Sequence, residues 1–339
     1  MRIIQVYDKL DRIGGAQIII KNLHAFFLER GYTSRVAGLN NYDSFAFKNS
    51  IPVGEYAQIG LKNIKIFSDT IIVSHSRKIT SLLFVLRKVF WFKYQLIHVS
   101  HSIFNDKRNF TFFPDRVIGV SNAVKKNLIN YFKVNEKRIE VIYNGLTDAI
   151  NEIDLRSYQP DQEIRILFVG RIEQVKQQLL IVEKLAGKIS EKIKIDFAGS
   201  GSQEDELINV IKEKGLLNFS YIGFQNNIPQ LAENYHFVML YSEKEGLGLT
   251  LIEACMAGRP VITRGADGCE ACAEICIDNH NGYITNDMES LISVLNSLGN
   301  LSKEEYYKLC RNSRKIYENK FRIELMFEKY DRLINNFNY

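Results

Sequence analysis

The chain has no apolar run long enough to cross a bilayer. A membrane helix needs roughly 18–20 such residues, and the best stretches are broken by Lys21 and His24 or by Arg87 and Lys88. Proline is sparse, five in 339 residues, and with 21 glycines the chain has too few of either for a fibrous protein. Cysteine is also scarce and odd in number, five in all, which argues against a disulfide framework and for reduced thiols. No fixed-period repeat and no low-complexity segment occurs, which sets solenoids aside. The opening stretch MRIIQVYDKLDRIGG has one early Arg, a short apolar run and then Asp8 and Asp11. That is the pattern of a strand and not of a secretory leader, so the expected location is cytoplasmic.

What is present fits an ordinary globular chain. Hydrophobic residues make up 46%, charged residues 24% and aromatics 12%, too apolar for disorder, and the length suits two domains. The net charge of +5 hides a split. Residues 1–150 hold 22 Lys/Arg against 11 Asp/Glu, or +11, while residues 151–339 hold 22 against 28, or −6. Such asymmetry reads either as an anionic partner for the first half, nucleic acid or a membrane surface, or as solvated charge that happens to fall unevenly.

Strand-like runs at Arg2–Tyr7, Ser34–Gly38, Thr70–Ser74, Gln95–Val99, Arg116–Val120 and Ile139–Tyr143 alternate with helical patterns such as Ala16–Arg30 and Ala123–Tyr131. A second series follows at Ile164–Val169, Ile193–Ala198, Phe219–Gly223, Phe237–Leu240 and Pro260–Thr263. The alternation predicts two α/β units, each a parallel sheet covered by helices. Composition divides the chain into 1–150, a polar linker at 151–162, a second domain at 163–320 and a terminal helix at 321–339. The tail carries an apolar stripe interrupted near Phe321, hence two helices.

The richest stretch is Ser242–Val261. Gly246 and Gly248 open a helix running to about Met256, so unpaired N–H groups and the helix dipole lie where an anion could sit. A plain tight turn is the alternative. Glu245 and Glu253, eight apart, flank that turn; carboxylates repel phosphate and suit sugar hydroxyls, while as bare glutamates they are surface charge. His75 and His101 each end a strand between serines, at the edge of an α/β sheet where ligands bind, although either also suits a structural histidine. His98, inside the strand, reads as structural.

Glu245-Gly246-Leu247-Gly248-Leu249, followed by Glu253 and Ala257-Gly258-Arg259-Pro260-Val261, resembles the E-x7-E region of retaining glycosyltransferases of family 4. Gly14-Gly15-Ala16, Val120-Ser121, Asn144-Gly145 and Phe168-Val169-Gly170-Arg171 with Lys176 stand in the family's order, so the resemblance covers nearly the whole chain. It implies the GT-B fold: two Rossmann-like domains, an interdomain cleft and a C-terminal helix crossing back to the N-domain. It implies that the N-domain handles the acceptor and the C-domain the nucleotide-sugar donor. By the same resemblance Arg171 and Lys176 neutralise the donor diphosphate, Glu253 holds the ribose, Glu245 meets the transferred sugar, and His101 lies near the anomeric carbon. Gly14 and Gly15 approach the diphosphate and acceptor, Gly199 and Gly201 close over the nucleotide, and His75 shapes the acceptor side. Tyr221-Ile222-Gly223-Phe224 resembles the strand edge near the base, and Ala273-Glu274-Ile275 with Asn281-Gly282 the segment after the E-x7-E helix.

There are departures. The family's Lys-Gly is Lys176-Gln177 here, and Gly268-Cys269-Glu270-Ala271-Cys272 is an unusual loop. Cys269, Cys272, Cys276 and His280 can be drawn as a zinc site, but the x2 and x3 spacing lacks a second knuckle and small buried thiols explain it as well. No Asp-x-Asp motif occurs, so no cofactor and no metal are expected, the nucleotide sugar being a substrate. Lys107 and Arg108, in the polar loop after His101, are candidate acceptor contacts. The segment Ser81–Tyr94 interleaves Arg87, Lys88 and Lys93 with Phe84, Phe90, Trp91 and Phe92 and reads either as a helix on an anionic bilayer or as a core helix with charged ends.

The expected function is metal-independent transfer of a hexose from a nucleotide sugar, UDP-linked by preference. The acceptor would be a lipid-linked or growing surface glycan (lipopolysaccharide, O-antigen or capsule), met at the inner membrane face. Rival readings are a nucleotide-sugar epimerase or hydrolase on the same fold, and a noncatalytic partner subunit. Nucleic-acid binding has no supporting signature.

Overall fold

The structure is a computed structural model describing residues 1–60, 65–153, 162–265 and 268–337. The described chain separates into two compact units, Met1–Gly145 with Glu324–Tyr339, and Leu146–Ile323. Composition draws these limits at 150–162 and 321; residues 154–161 of that linker lie outside the described residues.

In the first unit the strands are β1 (Arg2–Val6), β2 (Thr33–Gly38), β3 (Tyr56–Gln58), β4 (Ile71–Ser74), β5 (Gln95–Ser100), β6 (Arg116–Gly119) and β7 (Ile139–Val141). They pair in parallel in the order β3-β2-β1-β4-β5-β6-β7. Helices α1 (Gly15–Glu29), α2 (Arg77–Phe90) and α3 (Asn122–Asn130) make the crossovers. Ile4, Val6, Ile72 and Leu96 pack on one side with Ile79 and Leu83 of α2, and Val36 packs on the other with Ile20 of α1 and Phe45. Burial on both faces explains why the strands read as unbroken apolar runs. Gln5 interrupts β1 and is 0% exposed.

The second unit repeats the plan. Its strands are β8 (Ile164–Val169), β9 (Ile193–Ala198), β10 (Phe219–Tyr221), β11 (Phe237–Leu240), β12 (Val261–Arg264) and β13 (Gly282–Thr285), ordered β10-β9-β8-β11-β12-β13 and all parallel. Helices α4 (Gln178–Leu185), α5 (Glu204–Glu213), α6 (Ile228–Ala232), α7 (Leu249–Met256), α8 (Met288–Ser297) and α9 (Lys303–Ile316) surround it. Both orders reverse direction beside the first strand of the unit, between β1 and β4 and between β8 and β11. That is the switch point at whose carboxyl edge open α/β sheets take ligands.

The tail forms α9, a π-helical turn at Tyr317–Phe321 and α10 (Ile323–Asn335), as the broken stripe near Phe321 predicts. The last helix belongs to the first unit, where Phe327 stacks on Phe26 at 4.3 Å and the Tyr32 hydroxyl donates to Asn335. Strands β3 and β13 escape the sequence pattern. Both are short edge strands, one Tyr-Ala-Gln and the other beginning at Gly282, and neither offers the apolar run by which a central strand is recognised.

Of the two readings of Ser81–Tyr94, the structure makes an amphipathic helix with an unusual outer face. Ile79, Thr80 and Leu83 point inward, while Leu82, Val85, Val89 and Phe90 are exposed. Trp91 ends the helix in a left-handed conformation and is 87% exposed. Arg87 and Lys88 lie over the Phe84 ring, which stacks on Phe112. Among the described residues no helix is long and apolar enough to cross a membrane.

Candidate active site

In the first unit the candidates gather where β1, β4 and β5 end. Gly14 caps α1 with extended backbone, φ −162°, which any residue adopts, and a Cβ there would meet only the flexible amide end of Gln17. That amide is buried and donates to the Lys9 carbonyl at 2.7 Å, so a side chain at 14 would have to displace it; Gly15 is the first residue of α1. His75 follows β4, its N–H held by the Val6 carbonyl at 2.8 Å. Its Nδ1 lies 2.8 Å from Nε2 of His101, which follows β5, and the two rings stack with centroids 5.1 Å apart. Burial, then repulsion from His101 and His98, holds the His75 pKa well below the ordinary imidazole value; burial brings His101 down to about 4. Both rings are neutral at pH 7.

By the resemblance His75 shapes the acceptor side. It is 4% exposed and both its ring nitrogens are engaged, by His101 and by Gln5, so its side chain acts on His101. His98 is structural as read: its Nδ1 lies 2.7 Å from the Thr80 hydroxyl and burial lowers its pKa to about 3. The loop after His101 is pinned by Arg77, which donates to the Asp106 carbonyl and carboxylate and covers the Phe104 ring. Lys107, left-handed at φ +53°, and Arg108 follow it, with no ion pair among the described residues. Sequence reasoning missed Gln5 and Arg77; the one available signal was a polar residue inside an apolar strand.

In the second unit the strand ends of β8, β9 and β11 carry the candidates. Arg171 leaves β8 with its side chain 58% exposed and paired to Glu173 at 2.7 Å. Gly199 and Gly201 follow β9. Gly199 has φ +145° and a Cβ there would fall 1.9 Å from the Gly170 carbonyl oxygen; one at Gly201 would fall 2.3 Å from that of Ile172. These glycines are required by the backbone of the Arg171 turn itself, independently of any nucleotide.

Lys176 ion-pairs with Glu245, which also accepts from the Ser242 hydroxyl at 2.8 Å. Two residues read separately from sequence are thus in direct contact. The loop between β11 and α7 is fixed by Glu243 N–H to Val175 O at 2.7 Å and Glu245 N–H to Gly268 O at 2.8 Å. Gly246 lies in that loop and Leu247 is buried. Gly248, at φ +89°, caps α7, whose first residue is Leu249. Glu253 sits within α7, part-buried, and no described residue hydrogen-bonds or ion-pairs with its carboxylate. Burial raises its pKa to about 7.

The cysteine drawing does not assemble. Cys269 donates to the Ser242 carbonyl, Cys276 faces the Val261 carbonyl, and the backbone carbonyl of His280 accepts from Asn312. Among the described residues no three His, Cys, Asp or Glu side chains are placed to share a metal ion.

Residues 13–149 match the family model of Glycosyltransferase Family 4 and residues 150–316 that of Glycosyl transferases group 1. Anabaena HepE, solved in complex with UDP and glucose, superposes with a TM-score of 0.80 over 99% of this chain and 100% of that one at 18% identity. The chain thus matches glycosyltransferase family models along both units and has the GT-B fold. A poly(ribitol-phosphate) alpha-N-acetylglucosaminyltransferase of Staphylococcus aureus is 27% identical over 72% of this chain and 51% of its own length. The O-antigen biosynthesis glycosyltransferase WclY of Escherichia coli is 25% identical over 66% and 62%. The GT-B chain spans about half the length of the curated relatives it matches.

The shielded Lys176–Glu245 pair and the more exposed Arg171–Glu173 pair differ in what their loss should cost. Removing Lys176 strands a shielded Glu245, so Lys176→Ala should cost about 3 kcal/mol in urea unfolding, with Lys176→Met/Glu245→Gln recovering most of it. Arg171→Ala, which loses only an exposed pair, should stay within about 0.5 kcal/mol of the parent. Equal losses in the two single variants would refute the contrast.

For Glu253 the sign is set by its raised pKa. The unfolded carboxyl ionises near 4.5 and the folded one near 7, so the folded state binds more protons in between. This group's contribution is greatest below about 4.5, falls as pH rises to about 7, and is flat above. Relative to Glu253→Gln, the parent should lose on the order of 3 kcal/mol across that window; parallel pH profiles would contradict it.

Proposed function

We propose that this GT-B chain is a retaining glycosyltransferase that moves a hexose from a nucleotide sugar, UDP-linked by preference, onto a lipid-linked or growing surface glycan. The observation that carries the reading is Glu253: a carboxylate in a shielded place with no protein partner, on the helix capped by Gly248 at the carboxyl edge of β11. Such a group suits the paired hydroxyls of a ribose. Glu245 then meets the transferred sugar, and Lys176 and Arg171 offset the charge of the departing diphosphate. A diphosphate competes with Glu245 for the Lys176 ammonium, which couples donor arrival to release of that carboxylate. The bond from the anomeric carbon to the phosphate oxygen breaks as the bond to the acceptor oxygen forms on the same face, and the departing phosphate oxygen takes the acceptor's proton.

Metal independence is supported by the lack of an Asp-x-Asp sequence and by the two cations after β8. The names of the S. aureus and E. coli relatives support a surface-glycan acceptor; the UDP bound by HepE supports the donor class. A thermal-shift screen of UDP, GDP, ADP and their sugars, with and without EDTA, tests donor and metal together. The expected result is an EDTA-insensitive rise with UDP conjugates that is lost in Glu253→Ala, and a fall in turnover of at least about a hundredfold in Arg171→Ala. No rise with any nucleotide would favour a noncatalytic partner, and donor consumption without acceptor would favour an epimerase or hydrolase.

The same reading puts the enzyme on the inner face of the plasma membrane. The outward stripe of α2, Leu82, Val85 and Val89 running into Phe90 and Trp91, is flanked by Arg87, Lys88 and Lys93. Apolar residues beside cations match an anionic bilayer surface. Trp91 is the single tryptophan of the chain, so its emission reports the contact directly: it should shift to the blue with phosphatidylglycerol vesicles and not with phosphatidylcholine, and vesicle binding should weaken in Leu82→Ser/Val89→Ser. An unchanged spectrum with both lipids would remove the membrane from the proposal.

A further inference from the structure

Gln5 is the feature of the first unit that its fold does not need. It lies in the middle of β1, between Ile4 and Val6, with no exposure, and an apolar residue would bury there at less cost. Its partners give it a direction. One end of its amide lies 2.9 Å from the Ile20 carbonyl, which can only accept, so that end is the NH2 group. The amide oxygen therefore faces Nε2 of His75, at 3.2 Å. An amide oxygen can only accept in turn, so His75 Nε2 carries the hydrogen. In a neutral ring this leaves a lone pair on His75 Nδ1, and the His101 Nε2 that lies 2.8 Å away must donate to it. The remaining nitrogen of His101, Nδ1, is then an acceptor, and no described residue hydrogen-bonds it.

We propose that Gln5 and His75 are positioning residues that fix His101 in the Nε2–H tautomer, so that its Nδ1 presents a lone pair to a hydroxyl donor. The inference rests on the proposed transferase reading only for what that hydroxyl is: a hydroxyl of the sugar or of the acceptor. The relay resembles in logic a carboxylate that orients a catalytic histidine, with one difference that matters. Every member is neutral. A carboxylate behind His75 would stabilise an imidazolium and make His101 a stronger base; an amide fixes the tautomer without that gain. The arrangement suits a histidine that orients a hydroxyl while the departing phosphate oxygen takes the proton.

The other chain of hydrogen bonds that these atoms allow has every hydrogen reversed: His75 Nδ1–H donating to His101 Nε2, and His101 Nδ1–H pointing outward. Gln5 excludes it, because the amide oxygen would then face the His75 Nε2 lone pair. Replacing Gln5 by Leu removes the discrimination, and the reversed chain should rise from trace to a comparable population, a shift of about tenfold.

The test is two-bond proton–nitrogen correlation NMR on the full chain with labelled histidine, the six histidines being assigned by single substitutions. The expected spectrum has Nε2–H for both His75 and His101 in the parent and mixed tautomers at both in Gln5→Leu. It also has recovery of the parent pattern in Gln5→Glu, whose buried carboxyl, protonated on the oxygen facing the Ile20 carbonyl, stays neutral and still accepts from His75 Nε2–H. In turnover assays kcat should fall about tenfold in Gln5→Leu with the donor KM unchanged, and Gln5→Glu should restore most of it. Nδ1–H at His101 in the parent overturns the proposal even if neither variant folds, as does an unmixed spectrum in a folded Gln5→Leu. Because the tautomers are read without substrate, a parent spectrum as expected in a protein with no transferase activity would sink the function and leave the relay standing.

Discussion

Parallel strand pairing is the constraint from which the rest of each unit follows. Strands that all run one way must be joined by crossovers over the sheet faces, so both faces are buried and every strand delivers its carboxyl end to the same edge. In the first unit that edge receives Gly14, His75 and His101; in the second it receives Arg171, Gly199 and Glu245. Within each unit such residues are far apart in sequence and reach one edge because the order of that unit's sheet turns back beside its first strand. The polar groups of each unit are concentrated by topology.

Within the second unit the two glutamates of one motif have been given opposite electrostatic settings. Glu245 lies against a cation and a hydroxyl, so its charge is met inside the protein. Glu253 meets nothing charged, and burial alone lifts its pKa to about 7. A charge already paired must be exchanged when a ligand arrives, whereas an unpaired carboxylate gains from the first hydroxyl that reaches it. One carboxylate is therefore suited to a contact that is exchanged when a ligand binds and the other to a contact that simply holds.

How much of this was legible in the sequence depended on whether a residue's job is local. Strands β8, β9 and β11 could be read to the residue because a doubly covered strand is an apolar run with sharp ends, while Tyr-Ala-Gln of β3 and Gly-Tyr-Ile-Thr of β13 offer no such run. The site residues stood out through a family pattern that fixes position and chemistry but not partners. Nothing in the spacing of Lys176 and Glu245 reveals their ion pair, since 69 residues separate them. Gly199 and Gly201 were legible as glycines, but not the Gly170 and Ile172 carbonyls that exclude a Cβ at both.

Gln5 shows why some functional residues stay hidden even when their oddity is visible. A buried glutamine in a strand is a plain anomaly, but its meaning lies in the direction of its amide, and that is set by the Ile20 carbonyl fifteen residues away. The same holds for α2. Its sequence is amphipathic however it is placed, and only the packing of Ile79 and Leu83 against the sheet decides that Leu82, Val85 and Val89 face outward. In both cases the sequence carries the residue and the fold carries the orientation. Proton direction, like surface character, belongs to the second.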